Sequence, residues 1–276
     1  MKRKYRFLQS LLCGLLAFSL SACGNSHEAG QGTQNAAASG QHENIELYIL
    51  AAASLSDALK ELKPLYESTH EGISLVTTFG SSGTLQQQIE QGAPADVFFS
   101  AGAPQMEALV TKGLVAKEQQ MNLLTNELVL IVPKDAPATV TSVEDISNPE
   151  LKKVAIGQPQ TVPAGKYAQQ SMMNLGVWEN IQDKIIFAKD VRQVLTYVET
   201  GNVEAGFVYK TDALSSGRIR IAATADPATH QPIVYPLGIV KSTRHGKEAE
   251  AFYQWLQGEE AKRVFAKYGF AAPSQP

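Results

Sequence analysis

The chain has 276 residues with 24 Lys+Arg, 27 Asp+Glu and two Cys, enough length for one large or two modest domains around a sizeable core. Four of the basic residues fall in the first six positions, and without residues 1–22 the balance is −7, so the body lacks the basic face that nucleic acid as a main partner requires. Two Cys, one of them near residue 13, leave neither a disulfide framework nor a cysteine zinc site.

In chain order, residues 1–22 have the parts of a secretory signal: basic Lys2 to Arg6, an apolar run from Phe7 to Leu20, then small residues before a cysteine. The run is short for a spanning helix. Leu20-Ser21-Ala22-Cys23 resembles the bacterial lipoprotein box, which implies cleavage before Cys23 and acylation of its thiol and new amino terminus. An ordinary signal peptide or a membrane anchor is the alternative. Residues 24–43 contain no Leu, Ile, Val, Phe, Tyr or Trp and cannot offset their ordering entropy by burial. As a flexible coil they span roughly 25 Å, so residues 23–43 read as an acylated Cys and a tether. The expected location is the outer side of the cell membrane, held by lipid.

From residue 44, Val- and Ile-rich runs predict strands at Ile45–Leu50, Ile73–Phe79, Val97–Phe99, Leu128–Val132, Val154–Ile156, Ile185–Phe187, Gly206–Tyr209, Ile219–Ala222 and Val234–Val240. Helical spacing lies between most of them. Leu55, Ala58, Leu59, Leu62, Leu65 and Tyr66 form one face, with Pro64 predicting a kink or an early end. Val191, Val194, Leu195 and Val198 form another. The aromatic set Phe252, Tyr253, Trp255, Phe265 and Tyr268 reads as packing at the C-terminal end. This alternation predicts an α/β protein with parallel sheets covered on both faces, in two lobes.

Four helix starts follow strands. Ala51-Ala52-Ala53-Ser54 leads to Asp57, with Ser54 the expected N-cap and Asp57 its capping-box partner. Gly80-Ser81-Ser82-Gly83 combines close backbone approach with two hydroxyls. Pro163 suits a first helical turn, leaving the N–H groups of Ala164 and Gly165 to point outward. Asp190 is the expected N-cap before Val191. Each start alone is ordinary capping. Together they predict helix N-termini gathered at the strand ends around one anion. Tyr209, ending its strand, adds a phenol that either donates to that anion or packs half-buried.

The blocks AAASLSDAL (51–59), FGSSGTLQQQIEQGAPADVFFSA (79–101), VPAGKYA (162–168), DVRQVL (190–195), GFVYKTDA (206–213) and VFAKYGF (264–270) resemble, in order, those of the bacterial molybdate-binding proteins of ABC importers. The resemblance covers nearly all of residues 45–271. It implies the two-lobed type II periplasmic-binding fold, with a hinge of two crossovers near Asn126 and Pro236. Residues 44–126 plus 238–276 would form lobe I and 127–237 lobe II. It implies a molybdate or tungstate dianion held by Ser54, Ser82, Ala164, Val191 and Tyr209. Ser54, Ser82 and Tyr209 would offer hydroxyls, and Ala164 and Val191 only backbone N–H. It also implies a monomer that serves an ABC permease and its ATPase subunit, with no cofactor and no resident metal.

Two positions depart from the family pattern: Thr-Asn is usual where this chain has Ser56-Asp57, and Ser where it has Gly83. Asp57 is expected to point along its own helix, because in the cleft it would repel a dianion. Lys166 and Arg192 each follow an N–H donor and are expected to project around the helix rather than touch the anion. Asp96 is expected to fix a turn. A site of neutral donors accepts a fully ionised oxyanion and leaves the proton of a protonated one without an acceptor. The alternative within the class is a sulfate- or thiosulfate-type binding protein. Catalysis finds little support. GSSG is not a nucleophile elbow, and His70, His230 and His245 lie in polar, loop-like surroundings. The stretch ending Ala164-Gly165-Lys166-Tyr167 lacks the leading Gly and the hydroxyl of a phosphate loop.

Overall fold

The computed structural model describes residues 44–273. The expected signal, Cys23 and tether lie outside the described residues. Two five-stranded sheets organise the chain. The first contains β1 (Ile45–Ala52), β2 (Ile73–Gly80), β3 (Val97–Phe99), β4 (Val115–Thr125) and β10 (Val234–Val240), in the order β2-β1-β3-β10-β4. The second contains β5 (Leu128–Pro133), β6 (Val154–Gly157), β7 (Ile185–Ala188), β8 (Ala205–Tyr209) and β9 (Ile219–Thr224), in the order β7-β6-β8-β5-β9.

The sheets are mixed rather than parallel. β1 runs parallel to β2 and β3, and β6 to β7 and β8, but β10 is antiparallel to β3 and β4, and β5 to β8 and β9. The reason is the connectivity. The chain leaves the first sheet along β4, enters the second along β5, and returns along β10, so β5 and β10 oppose the βα units they join. β4 is absent from the predicted strands. Its sequence VAKEQQMNLLT is polar through the middle and buried only near its ends, as an edge strand allows.

Among the described residues eight α-helices cover the sheets: α1 (Ser56–Thr69), α2 (Ser82–Glu90), α3 (Ala103–Thr111), α4 (Pro163–Asn174), α5 (Val191–Glu199), α6 (Lys210–Leu214), α7 (Gly246–Trp255) and α8 (Glu259–Lys267). In the first lobe both sheet faces are buried. Leu47, Ile49 and Ala51 join one apolar cluster with Leu59, Leu62 and Tyr66 of α1, while Leu50 joins another with Leu85, Ile89, Met106 and Leu109 of α2 and α3. Pro64 neither ends nor divides α1, which continues to Thr69. Burying Leu59, Leu62 and Tyr66 on one face outweighs the loss of one backbone bond. The C-terminal aromatics do pack: the Tyr66 ring meets Phe252 and Trp255 edge-on at 4.8 and 5.2 Å.

Two segments pass between the sheets, at Asn126-Glu127 and at residues 225–233. β10 pairs within the first sheet from Val234 onward, so Pro236 stands inside a strand and not at a crossover. It occupies a register shift against β4, where a residue without an N–H is tolerated. Asn126 Nδ2 donates to Thr211 Oγ1 of α6 at 2.9 Å and to Tyr235 Oη of β10 at 3.2 Å, tying the first crossover to both lobes.

Candidate anion-binding site

β1, β2, β6, β7 and β8 all deliver their C-terminal ends to one junction between the lobes. Ser54, Ser82, Ala164, Val191 and Tyr209, expected from the sequence to act together, all line one small cavity there, with Ala52, Ala53, Ser81 and Ala101 among its other walls. These five residues are buried, none more than 4% exposed. The remaining space is about 10 Å³ for the centres of water-sized spheres, about one water molecule. The lobes therefore stand closed on each other. Gly83 N–H donates to Thr161 O across the junction at 2.8 Å, and Tyr209 Oη donates to Ala101 O at 3.1 Å.

The first hydroxyl wall differs from the expected capping. Ser54 caps nothing. It sits inside a 3-10 turn, Ala53–Leu55, and its Oγ lies 2.9 Å from Tyr235 Oη. The turn displaces the start of α1 to Ser56, so Asp57 has no capping-box partner. Instead, Asp57 Oδ2 accepts from Arg192 Nη2 of the other lobe at 2.5 Å. In the second wall Ser81 is the N-cap of α2, accepting from Thr84 N–H at 3.3 Å. That leaves Ser82 Oγ to accept from Ala101 N–H at 2.9 Å, with its own proton available to the cavity.

The second lobe contributes backbone. Pro163 opens α4 as expected, and Asp190 caps α5 by accepting from Gln193 N–H at 2.9 Å. The first turns of both helices, holding Ala164 and Val191, have N–H groups with no intrahelical acceptor, at the positive ends of the helix dipoles. Gly165 permits this arrangement. A Cβ there would lie 1.8 Å from Gly157 O of β6, so α4 can seat against the strand only with glycine. Gly83 plays a related part between lobes, since its Cβ would meet Thr161 Cα and O at 2.7 Å.

Among the described residues no Lys or Arg lines the cavity, and Lys166, Arg192 and Asp57 all stand outside it. Asp190 is the one carboxylate on its wall, turned to its own helix by the cap. Burial, reinforced by Tyr235, pushes the Tyr209 phenol well above its ordinary range, so it stays neutral, and in this closed form its one proton is given to Ala101 O. Behind Tyr209, burial pushes the fully buried Asp212 carboxyl up to about 7, with the Arg192 charge opposing. The site is thus a set of neutral hydrogen-bond donors in a closed, low-dielectric space, the arrangement suited to a small, fully ionised oxyanion.

Two participants, Tyr235 and Ala101, were not singled out from the sequence, and Asn126 was expected only as a crossover. Tyr235 backs Ser54, Asn126 backs Tyr235, and Ala101 offers both its N–H and its C=O to the junction. Ala101 acts by backbone alone, and Tyr235 reads as any strand aromatic, so neither leaves a local signal. Asp96 lies away from the cavity and holds the first sheet together, accepting from Tyr48 N–H at 2.7 Å and from Thr243 Oγ1. His70, His230 and His245 stand outside the cavity wall, so among the described residues no imidazole lines it with Ser54 and Ser82. Among the described residues there is no cluster of three or more metal-ligating side chains and no helix long and apolar enough to cross a membrane.

Paired α/β lobes joined by two crossovers, with donors converging at the strand ends, define a two-lobed solute-binding protein of the type II periplasmic-binding fold. The chain belongs to the bacterial extracellular solute-binding proteins, whose family model matches residues 47–271. It is 50% identical over 240 residues to YvgL of Bacillus subtilis, which carries the provisional name of an ABC transporter substrate-binding lipoprotein; the match covers 87% of this chain and 92% of that one. It is 38% identical to the molybdate-binding protein ModA of Haemophilus influenzae, over 83% and 91% of the two chains. Among solved structures, the periplasmic molybdate-binding protein of Azotobacter vinelandii superposes with a TM-score of 0.74 at 26% identity, covering 83% of this chain and all of that one.

Proposed function

We propose that this protein captures molybdate, or tungstate, between its lobes and delivers it to the permease and ATPase subunits of an ABC importer. The observation that carries the reading is the convergence of Ser54, Ser82, Ala164, Val191 and Tyr209 on one cavity without a cationic side chain. The 38% identity to a ModA protein supports the choice of anion. Hydroxyls from the first lobe and helix N–H groups from the second surround the oxyanion, and closure removes it from water. The segments at Asn126-Glu127 and 225–233 serve as the hinge between an open capture form and the closed form described here. The chain performs no reaction itself.

The lipoprotein box at Leu20–Cys23 and the relative YvgL support acylation of Cys23 as the attachment to the outer face of the membrane. Anchoring of a monomer on its tether then raises the receptor's effective concentration at its permease. The test is calorimetry on residues 24–276 with molybdate, tungstate, sulfate and phosphate in turn. Tight binding of the first two with no heat from the others is the expected result. Tight sulfate binding with weak molybdate would retain the cleft and replace the substrate. Silence from all four would remove the anion-binding reading.

A further inference from the structure

Arg192 connects the two lobes by charge, and it does so beside the anion cavity rather than in it. Its guanidinium is held from within its own lobe. Nη1 donates to Ser215 Oγ at 2.9 Å, and Nε lies 2.9 Å from Asp212 Oδ1. That second contact is an ion pair without a hydrogen bond, because the N–H is not aimed at the oxygen. Asp212 is fully buried, so the cation's place is defined before the lobes meet. Only the third contact crosses the junction, from Nη2 to Asp57 Oδ2 at 2.5 Å. The two side chains are 25% and 32% exposed, shielded enough to matter and open enough to feel salt.

We propose that Asp57 and Arg192 are positioning residues that latch the closed form and set how long the anion is retained, without touching it. The proposal rests on the anion-binding reading above and deepens it. Asp57 stands one turn after Ser54, and Arg192 directly follows Val191, so their pairing draws one hydroxyl donor and one N–H donor toward the same ligand. The other contacts across the junction, Gly83 to Thr161 and Tyr209 to Ala101, are neutral. The charge pair is therefore the part of closure that ionic strength can loosen. Arg192 has a second effect. It compensates the Asp57 carboxylate, which would otherwise face a dianion from close by. Loss of Arg192 both opens the latch and exposes that repulsion, whereas loss of the Asp57 charge only opens the latch.

The experiment uses the mature chain carrying Asp57→Asn, Arg192→Gln or both. Molybdate release is followed by stopped-flow between 20 mM and 1 M salt. The distance between one label on each lobe is followed without any ligand. In D57N, release at low salt is expected to be about three- to tenfold faster than in the unaltered protein. The difference should vanish at 1 M salt, where charges are screened within about 3 Å. R192Q should release faster still, and the labels should move apart in both variants. Release by D57N within twofold of the unaltered protein at low salt, with the same salt dependence, would overturn the latch. If the unaltered protein binds no molybdate, the anion-binding reading fails first, and the label distances decide the latch alone. An unchanged distance in D57N then overturns it.

Discussion

The first lobe presents side chains to the cavity and the second presents mostly backbone. Ser54 and Ser82 act through hydroxyls, whereas Ala164 and Val191 act through N–H groups at the mouths of α4 and α5. The two walls therefore fail differently. A side-chain donor is deleted by one substitution. A backbone donor survives any substitution that leaves its helix in place, and is lost only when the helix moves. In the second lobe the vulnerable residue is accordingly not the donor but the glycine that seats it.

Gly165→Ala should have the largest effect. Its Cβ would meet Gly157 O at 1.8 Å, a backbone atom that cannot swing aside, so α4 must lift from β6 and carry Ala164 away. We expect calorimetry to show molybdate affinity down by about 100-fold or more, with a loss of stability of about 1–3 kcal/mol. An affinity within a factor of three would mean that the second wall does not depend on the seating of α4.

Next come the serines. Ser82→Ala removes a donor to the anion and also strands the buried Ala101 N–H, so affinity and thermal stability should both fall, the latter by about 1–3 kcal/mol. Ser54→Ala leaves Tyr235 Oη with Asn126 as a partner, so affinity should fall by about tenfold with little change in melting temperature. Equal destabilisation by both would show that the two hydroxyls are not supported as described.

The buried acid behind Tyr209 sharpens the comparison through pH. The native state holds the Asp212 proton up to about pH 7, whereas an unfolded carboxyl releases it near 3.8. More protons bound in the native state mean that stability from this group is full below the unfolded value and is lost as pH rises to about 7. Melting temperatures of Asp212→Asn, compared with the unaltered protein across pH 4–8, should lack that downward component by a few degrees (about 1 kcal/mol shifts a chain of this size by about 2–4 °C). Parallel curves would place the Asp212 titration elsewhere. The smallest effect belongs to Val191→Ala. It should cost about 1 kcal/mol of packing and leave molybdate affinity within about twofold, because the donor is the N–H. A tenfold loss of affinity would contradict a backbone donor at that position.

Local sequence carried a large part of this protein. Runs of Val and Ile marked nine strands, and Pro163 and Asp190 marked the helix mouths they form. It misplaced Ser54, because a Ser before a helical pattern signals an N-cap and nothing nearby reveals the 3-10 turn that moves the N-cap on to Leu55. It passed over β4, whose polar middle becomes a strand only by pairing with β10 more than a hundred residues later.

What the sequence by itself determined is the kind of donor at each helix start: hydroxyl, phenol or bare N–H. These depend on residue type, capping and the first turn of a helix, all of which act over three or four residues. Tertiary structure alone decided that the five site residues meet, that β4 and β10 run against their neighbours, and that Asp57 turns from its own helix to Arg192. Those outcomes join residues up to 155 positions apart, from Ser54 to Tyr209. Their geometry follows from how two sheets bury their faces and close on each other, which no local pattern encodes.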